Sequence, residues 1–159
     1  MRNYIPIGPK YQWHFTVEED RAWLEETLAD SPNYTPTLAI SLNANLNESA
    51  EIFGFTRIFS DKATNTNILW VAQAINRAAG RILTRAGAIH PNLRGQGYVR
   101  DIGTEDILWF DRENRWNLSK ISFCTAEEFS AGVNLFPELG FSDGILTGDG
   151  MRTSMRRIG

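Results

Sequence analysis

From Ile52 to Phe59 apolar residues occupy both faces of an alternating pattern, with Phe53, Phe55 and Phe59 against Ile52 and Ile58. That pattern predicts a strand covered on both sides, central to a sheet. Upstream, residues 13–17 read as a strand. Thr16-Val17-Glu18-Glu19 then has capping-box spacing, with Thr16 as N-cap and Glu19 at the third helical position. The helix that follows places Val17, Leu24 and Leu28 on one face and stops at Ser31-Pro32. Leu38, Ile40 and Leu42 alternate, which predicts another strand. It would form an antiparallel hairpin with the central strand across the polar turn Asn43 to Ser49.

Residues 60–87 are patterned less sharply. Asp61 to Asn67 is a polar loop, Ile68 to Ile75 fits strand or helix, and Ala78-Ala79-Gly80 reads as a turn. Ile82 to Ile89 is a strand. Tyr98 to about Arg115 reads as an amphipathic helix with Val99, Ile102, Ile107 and Phe110 near one stripe. Gly103 inside it costs about 1 kcal/mol relative to alanine. Lys120 to Cys124 is a strand, and Thr125-Ala126-Glu127-Glu128 repeats the capping-box spacing, so a helix is expected to open there and to end near Gly140. The tail alternates Met151, Thr153 and Met155 against Arg152, Ser154 and Arg156, a half-buried closing strand. The order of elements is mixed α/β.

At 159 residues the chain fits a single domain, 1–159, with room for a sizeable core. A net charge of −3 disfavours a dedicated nucleic-acid surface, although Arg152, Arg156 and Arg157 crowd one end. Cys124 is the single cysteine, so no intrachain disulfide forms, and the two histidines, His14 and His90, build no metal-ligand set. No signal peptide and no apolar run of membrane length is apparent, so a cytoplasmic location and no membrane partner are expected.

The segment with the most chemistry is Ile89-His90-Pro91-Asn92-Leu93-Arg94-Gly95-Gln96-Gly97-Tyr98-Val99. It leaves a strand, passes two glycines and enters a helix. A helix N-terminus offers N–H groups with no intrahelical partner, together with the positive end of the helix dipole. Gly95 and Gly97 let backbone approach a phosphate closely, and Arg94 adds a fixed charge. A glycine pair before a helix is also a common structural turn. This one lacks the third glycine of a Rossmann fingerprint and the Gly-Lys-Ser/Thr of a P-loop.

His90 to Tyr98 resembles motif A of the GCN5-related N-acetyltransferases, whose pattern is Gln/Arg-x-x-Gly-x-Gly/Ala. Arg94 and Gly97 fill its first two fixed positions, and Val99 departs from the third. Asn134-Leu135-Phe136-Pro137-Glu138-Leu139-Gly140-Phe141 resembles the late signature of that family, a tyrosine followed by three residues and Gly-Phe. The resemblance covers nearly the whole chain. It implies an α+β fold with a mixed, largely antiparallel central sheet flanked by helices, in which residues 60–80 form an extra hairpin or short helix. It implies acetyl-CoA as acyl donor without a metal, and a small-molecule, peptide or protein amine as acceptor. It also makes a homodimer possible, with the C-terminal strand as the pairing edge.

The cofactor site so implied comprises Ala88, Ile89, His90, Arg94, Gly95, Gln96, Gly97, Tyr98 and Val99. Amides of Gln96 to Val99 would hold the diphosphate. N–H groups near Ala88 and Ile89 would polarise the thioester carbonyl. The usual acid and base are not evident. Phe136 stands where many members have a tyrosine acid, Pro137 is expected to kink or restart the last helix, and Arg85, Ala86 and Gly87 replace a common glutamate. Glu51 and His90 remain as catalytic candidates. The plainer readings are a solvated strand-end carboxylate for Glu51 and a structural or cofactor-lining ring for His90. Cys124 reads as a buried small hydrophobe, Trp70, Trp109 and Trp116 as core, and Arg152 and Arg156 as a solvated face. A working acetyltransferase therefore competes with a degenerate module having a binding or structural role. An enzyme acting on aminoacyl-tRNA is disfavoured by the acidic balance.

Overall fold

The strands are drawn from the most apolar stretches of the chain, and the helices fall on the sheet's two faces. The computed structural model describes residues 1–126, 139–142, 145–146 and 151–159. In chain order these form β1 (Ile5–Pro6), β2 (Tyr11–Phe15), α1 (Arg21–Thr27), α2 (Pro36–Ala44), β3 (Ile52–Asp61), β4 (Asn67–Asn76), β5 (Arg81–Ile89), α3 (Tyr98–Glu113), β6 (Lys120–Ala126), β7 (Ile145–Leu146) and β8 (Met151–Arg157). They build one eight-stranded sheet in the order β1-β2-β3-β4-β5-β6-β8-β7. Among the described strands only β5 and β6 run parallel, joined through α3, so the sheet is mixed and largely antiparallel as the sequence implies.

From Phe53 onward the double-sided pattern is explained by the two cores it separates, whereas Ile52, expected to be covered, is 69% exposed at the strand's start. One face carries Phe53, Phe55 and Phe59 into a cluster with Trp13, Ile102, Trp109, Phe110 and Trp116 under α3. The other carries Ile58 into a smaller cluster with Leu24, Leu28, Ala39, Trp70 and Ala72 under α1 and α2. Trp70, Trp109 and Trp116 are all buried, as expected.

Several expectations are corrected. Leu38, Ile40 and Leu42 lie in helix α2 and not in a strand, so β3 pairs with β2 and β4 and no hairpin precedes it. Thr35-Pro36 is a helix start: the Thr35 hydroxyl accepts from the Leu38 N–H at 3.1 Å, and Pro36 takes a first-turn position where no N–H is missed. Asn43 seats the helix, donating to the Thr16 and Thr56 carbonyls and accepting from the Thr56 N–H. Residues 60–80 form no extra hairpin or helix; they hold the turn into β4 and β4 itself.

The first capping site shifts by one residue. A short 3-10 turn at Glu18–Asp20 precedes α1, and Asp20, not Glu19, reaches back to the Val17 N–H at 3.0 Å. Val99 leaves the helical stripe and is 48% exposed. Arg156 is no free surface cation: both terminal nitrogens meet the Asp111 carboxylate at 2.9 Å. The C-terminal strand β8 is flanked by β6 and β7 and does not form the open edge expected of it. Strand β6 extends through Ala126, so Thr125 does not cap a helix, and the helix expected beyond it lies outside the described residues.

Asp20 is fully buried, bonded by His14 Nε2 at 3.0 Å, the Val17 N–H and Arg2 Nε at 2.7 Å. Burial pushes its carboxyl up, but these bonds outweigh burial and hold it below the ordinary carboxylate range. Arg115 and Trp116 likewise lower Glu48, and Arg156 and the Gly159 N–H lower Asp111. Each lowered group stabilises the fold above its unfolded value, near 4, and that contribution disappears as pH falls through the folded value. Acid unfolding is therefore expected below about pH 4. Replacing Asp20 with Asn should flatten that limb in a pH series of urea midpoints.

Candidate functional site

Strands β5 and β6 are paired only from Arg81↔Lys120 to Thr84↔Phe123, although β5 continues to Ile89 and β6 to Ala126. Beyond Thr84 the two parallel neighbours are no longer paired, and among the described residues no strand fills the gap, or cleft, between them. The parting begins at a bulge. Thr84 faces Gln73 and Ala86 faces Ala72, leaving Arg85 as an extra residue on β5. Bulges bend a strand and end pairing in this way.

The orientation of the β5 edge follows from one bond. The His90 N–H donates to the Ile68 carbonyl across β4 at 3.2 Å. Alternation along an antiparallel pair then turns the backbone groups of Ala86 and Ala88 toward β4, and those of Gly87 and Ile89 outward to the cleft. Of the two expected thioester donors, Ile89 therefore faces the cleft and Ala88 does not. Gly87, passed over in the sequence, is the second outward N–H.

At the end of β5 lies the glycine turn. Pro91–Leu93 makes one 3-10 turn, and Gly97 stands as the N-cap of the 16-residue α3. Gly95 and Gly97 have φ of +75° and +81°, where L side chains are strained, and a Cβ at either would meet nothing within 4 Å. The glycines are thus demanded by backbone conformation, and the space in front of them is open. The leading N–H groups of α3 have no acceptor within the helix. Tyr98 packs inward against the edge of the Tyr11 ring at 6.5 Å. Gln96 folds back to the Asn92 carbonyl at 3.2 Å.

The turn is held from the side by α1 and the residues after it. His90 Nδ1 accepts from the Asn92 N–H at 3.2 Å, so the neutral ring carries its proton on Nε2, which donates to Glu26 at 2.6 Å. The Trp23 ring stacks on it at 6.1 Å. Arg94 donates to the Ile89 carbonyl at 3.3 Å and lies 3.9 Å from Asp30. Residues 26 and 30 thus clasp residues 90 and 94. With both ring nitrogens engaged, His90 is built as a clamp on the turn and has no lone pair left for a substrate proton.

Beneath the cleft, Arg57 ties the sheet to α3. It is fully buried, meets Asp106 with two bonds of 3.0 Å, and donates from Nε to Gln73 at 2.8 Å. Gln73 in turn donates to Thr84, the last β5 residue paired with β6, at 2.9 Å. The guanidinium also lies over the Phe59 ring at 4.7 Å and the Trp13 ring at 5.0 Å.

Ile89, His90, Arg94, Gly95, Gln96, Gly97, Tyr98 and Val99 are brought together at this mouth. Glu51 is not. It is exposed at the start of β3, where Ile52 faces Asn76 and Asn76 faces Arg81. That is the far end of β5 from Ile89, roughly 25 Å away at strand spacing. Cys124 lies on β6, and Asn134 to Glu138, Phe136 included, fall outside the described residues. Among the described residues no group of three or more His, Cys, Asp or Glu is placed to hold a metal, and no helix is long and apolar enough to cross a membrane.

No protein-family model matches the sequence, and no curated protein matches it. Solved structures do. The chain is similar to spermidine/spermine N-acetyltransferase SpeG from Vibrio cholerae, a structure containing manganese ions, with a TM-score of 0.69 and 15% identity over 96% of this chain and 95% of that one. It is also similar to the ribosomal-protein-S5-alanine acetyltransferase from Vibrio fischeri, with a TM-score of 0.68 and 13% identity over 98% of this chain and 96% of that one. The sheet order, the parted β5 and β6 and these similarities together give the chain the fold of the GCN5-related N-acetyltransferases.

Proposed function

We propose that the protein transfers an acetyl group from acetyl-CoA to an amine. The observation that carries this reading is the cleft between β5 and β6 with a glycine turn and helix N-terminus at one mouth. A diphosphate fits the open space before Gly95 and Gly97, where amides of Gln96 to Val99 and the Arg94 guanidinium would meet it. The extended pantetheine arm fits the free edge of β5 as an added strand. Acetyl-CoA supplies an activated thioester. The neutral amine nitrogen attacks its carbonyl carbon, the N–C bond forms as the C–S bond breaks, and the proton lost by the nitrogen passes through solvent to the departing thiolate, giving the amide and free CoA thiol.

The outward N–H groups of Gly87 and Ile89 would stabilise the oxyanion as it forms. Holding both reactants together lowers the barrier by several kcal/mol at least, on the order of what intramolecular models give. No described side chain is assigned as acid or base: His90 is committed to the turn and Glu51 lies at the other end of the sheet. A second reading, a binding module without turnover, rests on Phe136 standing where the similar family has a tyrosine.

Mixing the protein with acetyl-CoA and a panel of amines, and following free thiol, tests transfer. Amine-dependent thiol release is expected. Cofactor binding without it would favour the second reading. Asp30 competes with a phosphate for Arg94, as an exposed pair worth little. Asp30→Asn is therefore expected to tighten acetyl-CoA by about two- to fivefold in a calorimetric titration.

A further inference from the structure

Pairing between β5 and β6 stops at Thr84, and exposure begins just beyond it. Thr84 is 7% exposed. The next residue, Arg85, is exposed, and so is Gly87. Both lie on a strand that has a neighbour on each side in the sheet order. Arg85 is also the residue that the bulge inserts, with no partner on β4. The sheet thus places an arginine at the start of its own gap.

This arginine differs from others in what it meets. Arg57, Arg94, Arg115 and Arg156 each face a carboxylate. Among the described residues Arg85 has no hydrogen-bond or ion-pair partner. The three strands that border the gap, β4, β5 and β6, contain no Asp or Glu, so none of them supplies one. A guanidinium presents its donors in a planar fork that fits a carboxylate with two parallel bonds. It also stays protonated throughout, so Arg85 is a binding group and not a base.

Its position says which part of the reaction it serves. Gly87, whose N–H faces the gap, is two residues further on, about 7 Å along the strand. The glycine turn, with Arg94 as its own cation, lies beyond Ile89, itself roughly 13 Å from Arg85. Arg85 therefore stands at the thioester end of the cleft, away from the diphosphate. An acceptor with no charge but its ammonium meets a like charge there. One that brings a carboxylate meets an opposite charge.

We propose that the acceptor is a small amine that carries a carboxylate close to its nitrogen, as an α-amino acid does, and that Arg85 holds this carboxylate. The inference rests on the reading of the β5–β6 cleft as the acetyl-CoA site. The short separation of Arg85 from Gly87 sets the carboxylate within a few bonds of the nitrogen. Acetyl transfer to that nitrogen proceeds as written above, and Arg85 exchanges no proton in it.

The test uses the full chain with saturating acetyl-CoA, after calorimetry has established cofactor binding. Thiol release is followed with the standard L-amino acids other than cysteine, each beside the amine that remains when its α-carboxylate is removed. The best amino acid is expected to exceed its own amine by at least about tenfold in kcat/KM, within reach of one charge-assisted pair. Arg85→Gln should bring the two within about threefold, by raising KM for the amino acid, and leave KM for acetyl-CoA unchanged. Arg85→Lys, which keeps the charge without the fork, should retain part of the preference. An amine as good as its amino acid, or no turnover of any amino acid by cofactor-bound protein, would overturn the proposal. So would a preference unchanged in Arg85→Gln, or a raised KM for acetyl-CoA in that variant. The comparison of acceptors needs no variant to fold. Failure of acetyl-CoA to bind overturns the underlying reading of the cleft instead.

Discussion

Arg57→Met is expected to cost about 3–5 kcal/mol of stability, the largest loss from any single substitution considered. The guanidinium is fully buried and uses Nε and both terminal nitrogens on Gln73 and Asp106. Its removal leaves a carboxylate that is only 14% exposed without its counter-charge, and an amide oxygen without its donor. It also removes a cation from over the Phe59 and Trp13 rings. A urea titration followed by the fluorescence of the five tryptophans gives the number directly. The double variant Arg57→Met with Asp106→Leu should recover part of the loss, because the uncompensated charge goes with its partner. A double variant no more stable than the single one would mean that packing, and not charge, dominates.

Gly97→Val should abolish acetyl-CoA binding, weakening it by more than about a hundredfold, with a smaller effect on the fold. The two consequences have separate origins. At φ of +81° a β-branched residue is strained by about 1–3 kcal/mol, a cost to stability that an unfolding curve reads. The branched side chain also fills space that is open in front of the helix, where a phosphate would meet the first N–H groups of α3. Gly103→Ala is the control. A Cβ there touches nothing, and alanine in a helix interior should stabilise by up to about 1 kcal/mol without altering affinity. Equal weakening by both substitutions would place the cofactor somewhere other than the glycine turn.

Local pattern carried much of this structure into view. The double-sided run of 52–59, the strand 82–89 and the helix after Gly97 lie where periodicity and turn residues put them. The helix Pro36–Ala44 did not, because Leu38, Ile40 and Leu42 fit a period of two. Only the Thr-Pro pair before them signals a helix start. The glycine turn is legible because its chemistry is contiguous. The parting of β5 from β6 is not, since a parallel pair is set by residues nearly forty apart and stops at a bulge that no spacing announces. The same holds for the clasp of residues 26 and 30 on 90 and 94, and for Arg57, Gln73, Thr84 and Asp106. Each of those polar residues looks like a solvated position until the fold brings its partner to it. The glycine turn of the candidate site was therefore visible in the sequence, and the parted strands beside it were not.

Backbone amide NMR during titration with acetyl-CoA tests whether the cofactor lies along the unpaired edge of β5 with its diphosphate at the glycine turn. The largest shifts are expected on Gly87, Ile89 and Gln96 to Val99, with Glu51 and its neighbours unmoved. Shifts concentrated elsewhere, or no shifts at millimolar acetyl-CoA, would contradict it.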